Sequence, residues 1–225
     1  MRRSARASLA LAVASALVAA PASAQVHWDA GGEIGGMKRF LSSRAPHQDN
    51  PGIGPFLELE GHVALLPLVR VGLYFAEEIS PMPDPIAARD ITSFGLHLKI
   101  LSPVPSGDFR VWLFTGFGYA VVSQRSYDIT VPIGEPARQT KGTAQSAGGG
   151  YFEVPLGIGA SYKLRGPLSL YGTLGARIGF GFSGSVYESP GPQVKFNTGD
   201  VDQNVNPYGN DAWGIGLAVG VLLDL

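Results

Sequence analysis

Apolar and non-apolar positions alternate with a period of two through much of this chain, in blocks of roughly ten residues bounded by Gly, Pro, Asn, Asp and Ser; this is the side-chain period of a β-strand. In one block Leu57, Leu59, Val63 and Leu65 share a face while Glu58, Glu60 and His62 share the other. In the next, Val69, Val71, Leu73 and Phe75 oppose Arg70, Gly72 and Tyr74. Farther on, Leu96, Leu98 and Ile100 oppose His97 and Lys99, and Leu156, Ile158, Ala160 and Tyr162 oppose Gly157, Gly159, Ser161 and Lys163. The spacing predicts eight strands, over Trp28 to Phe40, Phe56 to Leu65, Leu68 to Glu77, Thr92 to Leu101, Phe109 to Val122, Phe152 to Leu164, Leu168 to Phe182 and Ala212 to Leu225. No stretch is apolar for the roughly 20 residues that a membrane-spanning helix needs.

The connections alternate in length. Leu66-Pro67, Ser102 to Asp108 and Arg165-Gly166-Pro167 are short, whereas Leu41 to Pro55, Glu78 to Ile91, Ser123 to Tyr151 and Ser183 to Asp211 are long. An even number of strands with short turns on one side and long loops on the other is the outer-membrane arrangement. The predicted fold is therefore all-β, an eight-stranded antiparallel up-and-down transmembrane β-barrel.

A soluble barrel of the lipocalin kind has the same alternation with its faces reversed. The non-apolar face decides between them, because in the last strand it reads Gly214, Gly216, Ala218 and Gly220, a poor water-facing surface but a roomy interior. Phe40, Phe75, Phe94, Tyr119, Phe152, Phe180 and Trp213 all fall on the apolar face where strands meet long loops, as an interfacial girdle requires, with Trp28 and Tyr162 at the other end.

The amino terminus changes the picture of where the barrel goes. Basic residues Arg2, Arg3 and Arg6 precede an apolar stretch from Leu9 to Ala20, followed by Ala22-Ser23-Ala24 before Gln25. That pattern is a secretory signal over residues 1–24, cleaved after Ala24, with the barrel domain over 25–225; Arg2-Arg3 alone lacks the rest of a twin-arginine motif. Removing it leaves 14 basic against 18 acidic residues, a net charge of −4, which disfavours a nucleic-acid partner. The chain has no cysteine, so disulfides, thiolate metal sites and a lipidated amino-terminal cysteine are excluded.

With its closing run Gly214-Ile215-Gly216-Leu217-Ala218-Val219-Gly220-Val221-Leu222-Leu223-Asp224-Leu225, the sequence resembles the small outer-membrane barrels, such as the OmpA transmembrane domain and the OmpW-like proteins. That resemblance implies outer-membrane lipid and lipopolysaccharide as surroundings, and recognition of the last strand by the barrel-assembly machinery. The aromatic residue usual at the end of that strand is replaced by Leu225.

Any chemistry would sit on the inward face. Parity directs Glu33, Glu58, Glu60, Glu153 and Asp224 inward with Arg70, Lys99, Arg110, Lys163 and Arg177, alongside His62 and His97. Five acids against five bases predict a mutually compensating polar core, since an eight-stranded barrel is just wide enough for its own side chains; the alternative is a narrow channel or transporter for small or apolar solutes. Inward Tyr74, Trp112, Phe114 and Tyr171 add bulk. His97 is followed by Leu98-Lys99 and not by the His-x-Ser of barrel lipid hydrolases, so no enzyme, cofactor or metal centre is expected. Gly199 to Asp211 partly imitates a calcium loop, but Val205 occupies the position where the sharp turn needs glycine. The expected role is a structural or surface-interaction barrel acting through its long loops, with a soluble periplasmic ligand binder as the distant alternative.

Overall fold

The computed structural model describes residues 27–41, 50–82, 88–104, 107–124, 127–133, 138–144, 147–184, 186, 195–196, 199–200 and 212–224. Five strands come first, β1 (Trp28–Leu41), β2 (Ile53–Leu66), β3 (Val69–Ser80), β4 (Arg89–Leu101) and β5 (Phe109–Gln124). A small hairpin, β6 (Tyr127–Ile133) and β7 (Arg138–Ala144), precedes β8 (Ala147–Arg165) and β9 (Leu168–Gly184). A two-residue pair, β10 (Lys195–Phe196) and β11 (Gly199–Asp200), precedes the closing strand β12 (Ala212–Asp224). The wall is one closed antiparallel barrel in the order β1-β12-β9-β8-β5-β4-β3-β2. Closure comes from the two ends of the chain: β1 pairs with β12 from Asp29 with Asp224 to Leu41 with Ala212. No sheet edge of the wall is then left open to lipid, which cannot satisfy a free backbone N–H or C=O.

All eight predicted strands are present, and seven of them are longer toward the loops than alternation indicated, the last beginning at Ala212 as expected. Ser80 pairs with Arg89, so Glu78 and Arg89 belong to strands and not to the expected loop from Glu78 to Ile91. The expected loop from Ser123 to Tyr151 is corrected too, because it contains the β6–β7 hairpin and the first residues of β8. Gly148, Gly149 and Gly150 read as loop in sequence, yet they are held as strand by pairing with Ser123, Val122 and Val121 of β5. Tertiary pairing here overrides a weak local preference. The signal segment 1–24 and His47 lie outside the described residues. So does most of the calcium-like run, of which Gly199 and Asp200 form β11.

Side chains divide by parity. Leu73 and Leu217 on the outer face are 65 % and 66 % exposed, whereas Glu153 and Tyr151 on the inner face are fully buried. Phe75, Phe94, Tyr119, Phe152 and Phe180 are successive register partners across β3, β4, β5, β8 and β9. They form one unbroken ladder, with ring centroids 5.3 Å apart for Tyr119–Phe152 and 6.0 Å for Phe152–Phe180. Phe40 stacks on Trp213 at 4.4 Å beside it. Trp28 and Tyr162 are exposed at the short-turn end.

Inside, large side chains on one strand are matched by glycine on another. The Trp112 indole lies against Gly159, where a Cβ would overlap the ring. Valine at position 159 is expected to destabilise the barrel by about 1–3 kcal/mol through overpacking, read as a lower urea midpoint of tryptophan fluorescence in detergent micelles.

Candidate functional site

The inner face is built in tiers that follow the chain upward along β1. Asp29 begins the lowest tier: Arg70 donates to it and, at 3.2 Å, to Asp224, which also accepts from Arg110. Asp29 Oδ1 lies 2.9 Å from His62 Nδ1, and His62 Nε2 lies 3.3 Å from His97 Nδ1. Lys99 Nζ donates to Glu60 Oε1 at 2.5 Å and sits 5.2 Å from the centre of the Trp112 ring. Trp112, Tyr171 and Leu222 pack together beside it.

The middle tier centres on Arg177. Its Nη2 donates to Glu58 Oε2 at 2.5 Å, its Nη1 donates to Glu153, and its guanidinium lies over the rings of Phe56 and Tyr74 at 5.0 and 5.2 Å. Tyr74 donates to Glu153 Oε1 at 2.8 Å, and Thr173 donates to Glu33 Oε2 at 2.8 Å. Above, Arg39 and Glu78 form a two-pronged pair with Nη2 to Oε2 at 2.6 Å. Higher still, Arg89 donates to the Val186 carbonyl at 3.0 Å. An apolar cluster of Leu41, Met82, Ile91, Ala120, Val122, Tyr151, Val186 and Ala212 then fills the loop end of the barrel.

Eleven of the twelve inward residues named from sequence take part in these contacts. Lys163 does not join them; it is exposed beside the Gly166-Pro167 turn, where the strand register shifts. Arg110 reaches Asp224 from a half-exposed position at the mouth. Sequence parity overlooked Asp29, Arg39, Glu78 and Arg89. The signal was available for Asp29, four residues before Glu33 and so on the same face of β1. With Asp29 added and Lys163 removed, the interior below the Arg39–Glu78 pair holds Asp29, Glu33, Glu58, Glu60, Glu153 and Asp224 against Arg70, Lys99, Arg110 and Arg177. Among the described residues the expected five-to-five balance becomes a surplus of two formal negative charges, with histidines counted neutral.

Little free space remains between the charged tiers among the described residues. A void bordered by Glu33, Glu58, Glu60, His97, Trp112 and Arg177 measures about 30 Å³, room for one or two water molecules. A vestibule of about 620 Å³ opens at the short-turn mouth, bordered by His27, Arg70, Phe109, Arg110 and Asp224. Arg70 on its wall is paired with Asp29.

No protein-family profile matches the chain, and no curated protein matches it. Solved structures do. Neisserial surface protein A is similar over 88 % of this chain and 97 % of its own, at 12 % identity and a TM-score of 0.50. A major outer membrane protein from Thermus thermophilus is similar over 89 % of this chain and all of its own, at 14 % identity and a TM-score of 0.50. At such low identity the likeness is one of fold. Closed by its own termini, apolar outside and charged within, this chain has the fold of the small outer-membrane β-barrels.

Proposed function

We propose that this protein is a non-conducting outer-membrane barrel, without enzymatic activity, whose wall holds its long loops at the cell surface for contact with other molecules. The observation that carries this reading is the filled interior: charged tiers spaced by aromatic rings, closed at the loop end by the Leu41–Tyr151–Ala212 cluster. Hydrated ions need a continuous water-filled path, and the void among the charged tiers measures only about 30 Å³. Outer-membrane lipid and lipopolysaccharide surround the apolar face, and the barrel-assembly machinery engages β12, in this reading. A soluble periplasmic ligand binder is disfavoured by the exposed outer row of Leu73, Leu96 and Leu217, which water would not tolerate as one surface.

Purified protein in detergent should migrate differently on a gel before and after heating, and in a planar bilayer it should pass no steady current. A steady current that changes with Arg70→Ala or Glu60→Gln would replace this reading with a transport barrel.

A further inference from the structure

We propose that Glu60, His62 and His97 form a binding site for one divalent transition-metal ion of the zinc class inside the barrel. The three side chains come from two strands, β2 and β4, and all are buried; one donor atom from each lies within 4.8 Å of the others. The triangle is close to one face of a tetrahedron. His62 Nε2 to His97 Nδ1 is 3.3 Å, His97 Nδ1 to Glu60 Oε2 is 3.3 Å, and His62 Nε2 to Glu60 Oε2 is 3.9 Å. Two imidazole nitrogens about 2.0–2.1 Å from a tetrahedral zinc stand about 3.3 Å from each other.

The ring orientation agrees. The His62 and His97 ring centroids are 5.2 Å apart, nearer than the roughly 5.6 Å of two imidazoles aimed head-on along one N–H···N line of this length. The two rings, tilted by 43° to each other, are therefore not aimed head-on.

The far side of two of the ligands is already anchored. Asp29 fixes His62 by its Nδ1 at 2.9 Å, leaving Nε2 to present its lone pair, and Lys99 holds Glu60 by Oε1 at 2.5 Å, leaving Oε2 toward the histidines. A carboxylate behind a ligating histidine is the usual outer support of such sites. The void of about 30 Å³ bordered by Glu60 and His97 can hold the water that completes a fourth position.

Two further observations favour a ligand of positive charge between these rings. The lumen's surplus of two formal negative charges equals the charge of one such ion. And β3, the strand between, carries glycine where the two rings meet across it: Gly72 pairs with His62 on one side and His97 on the other. A Cβ there would stand 1.9 Å from the Gly61 carbonyl oxygen and 2.7 Å from His62 Cδ2, so a larger residue would strain the β2 backbone as well as displace that ring.

The test uses protein purified from membranes in detergent, given Zn²⁺ either after folding or during refolding from urea, then desalted and its metal counted by mass spectrometry. About one zinc per barrel is expected, and Co²⁺ in its place should give the intense visible bands of four-coordinate cobalt. Asp29→Asn should weaken zinc binding about 10–100-fold, the His62→Gln, His97→Gln double variant should retain almost none, and His27→Gln in the vestibule should bind as the parent does. Absence of retained zinc under both loading regimes overturns the site, as does unchanged zinc in a double variant that still shows heat-modifiable migration. Should that variant fail to fold, the parent's cobalt spectrum decides: weak, six-coordinate bands or none overturn the proposal.

Discussion

Replacing Arg177 with glutamine is expected to lower the unfolding free energy of the barrel by about 3–5 kcal/mol, the cost of leaving buried charges without their partner. Arg177 is the one base that touches both Glu58 and Glu153 among the described contacts, and Glu33 nearby has Thr173 but no base. Without the guanidinium, carboxylates on β2 and β8 face one another across a medium that screens them poorly. The measurement is the urea midpoint of the folded band on unheated gels, in one detergent, for both proteins. The companion variant Glu58→Gln, Arg177→Met, Glu153→Gln should recover much of the loss, because a neutral tier of similar volume has no charge to strand. Equal midpoints for Arg177→Gln and the parent would show that this tier is not held by charge pairing.

Arginine in place of Leu73 or Leu217 is the second large effect. Both lie near the middle of strands on the outer face, and a basic residue at the bilayer midplane of a barrel costs roughly 2–4 kcal/mol, falling toward zero near the interfaces. Folding into lipid vesicles should be weakened by that amount for Leu217→Arg and much less for Tyr162→Arg at the short-turn end. If the two substitutions cost the same, the apolar belt does not sit in hydrocarbon.

The wall was legible in the sequence because period-two alternation carries both strand and orientation, and the alternation is clean wherever a residue contacts lipid. It failed at the loop ends for a physical reason. There the outer face leaves the membrane and becomes polar, as at Glu77 and Asp90, so the alternation fades although hydrogen bonding continues through Ser80 and Arg89. Glu78 and Arg89 were lost with it, and so were the partner of Arg39 and the donation to Val186. In the interior, parity told which residues face inward but not which meet. The approach of His62 to His97 depends on the pairing of three strands and on Gly72 between them, and no local spacing in the chain encodes it. Lys163 shows the converse: its parity is inward and it pairs with buried Ser169, but it stands at the short-turn mouth, where it is exposed.

The contacts within the tiers join distant parts of the chain: Arg70 with Asp224 across 154 positions, Glu33 with Thr173 across 140, Glu58 with Arg177 across 119. A hairpin that slips by two residues during assembly keeps its leucines and valines toward lipid, so the lipid-facing pattern is blind to the error. The interior is not blind to it, since the same slip separates the acids or bases of that hairpin from their partners on other strands. The charged lumen thus works as a combination lock for strand register, one that opens into the native barrel only when the first and last thirds of the chain have met in the right alignment.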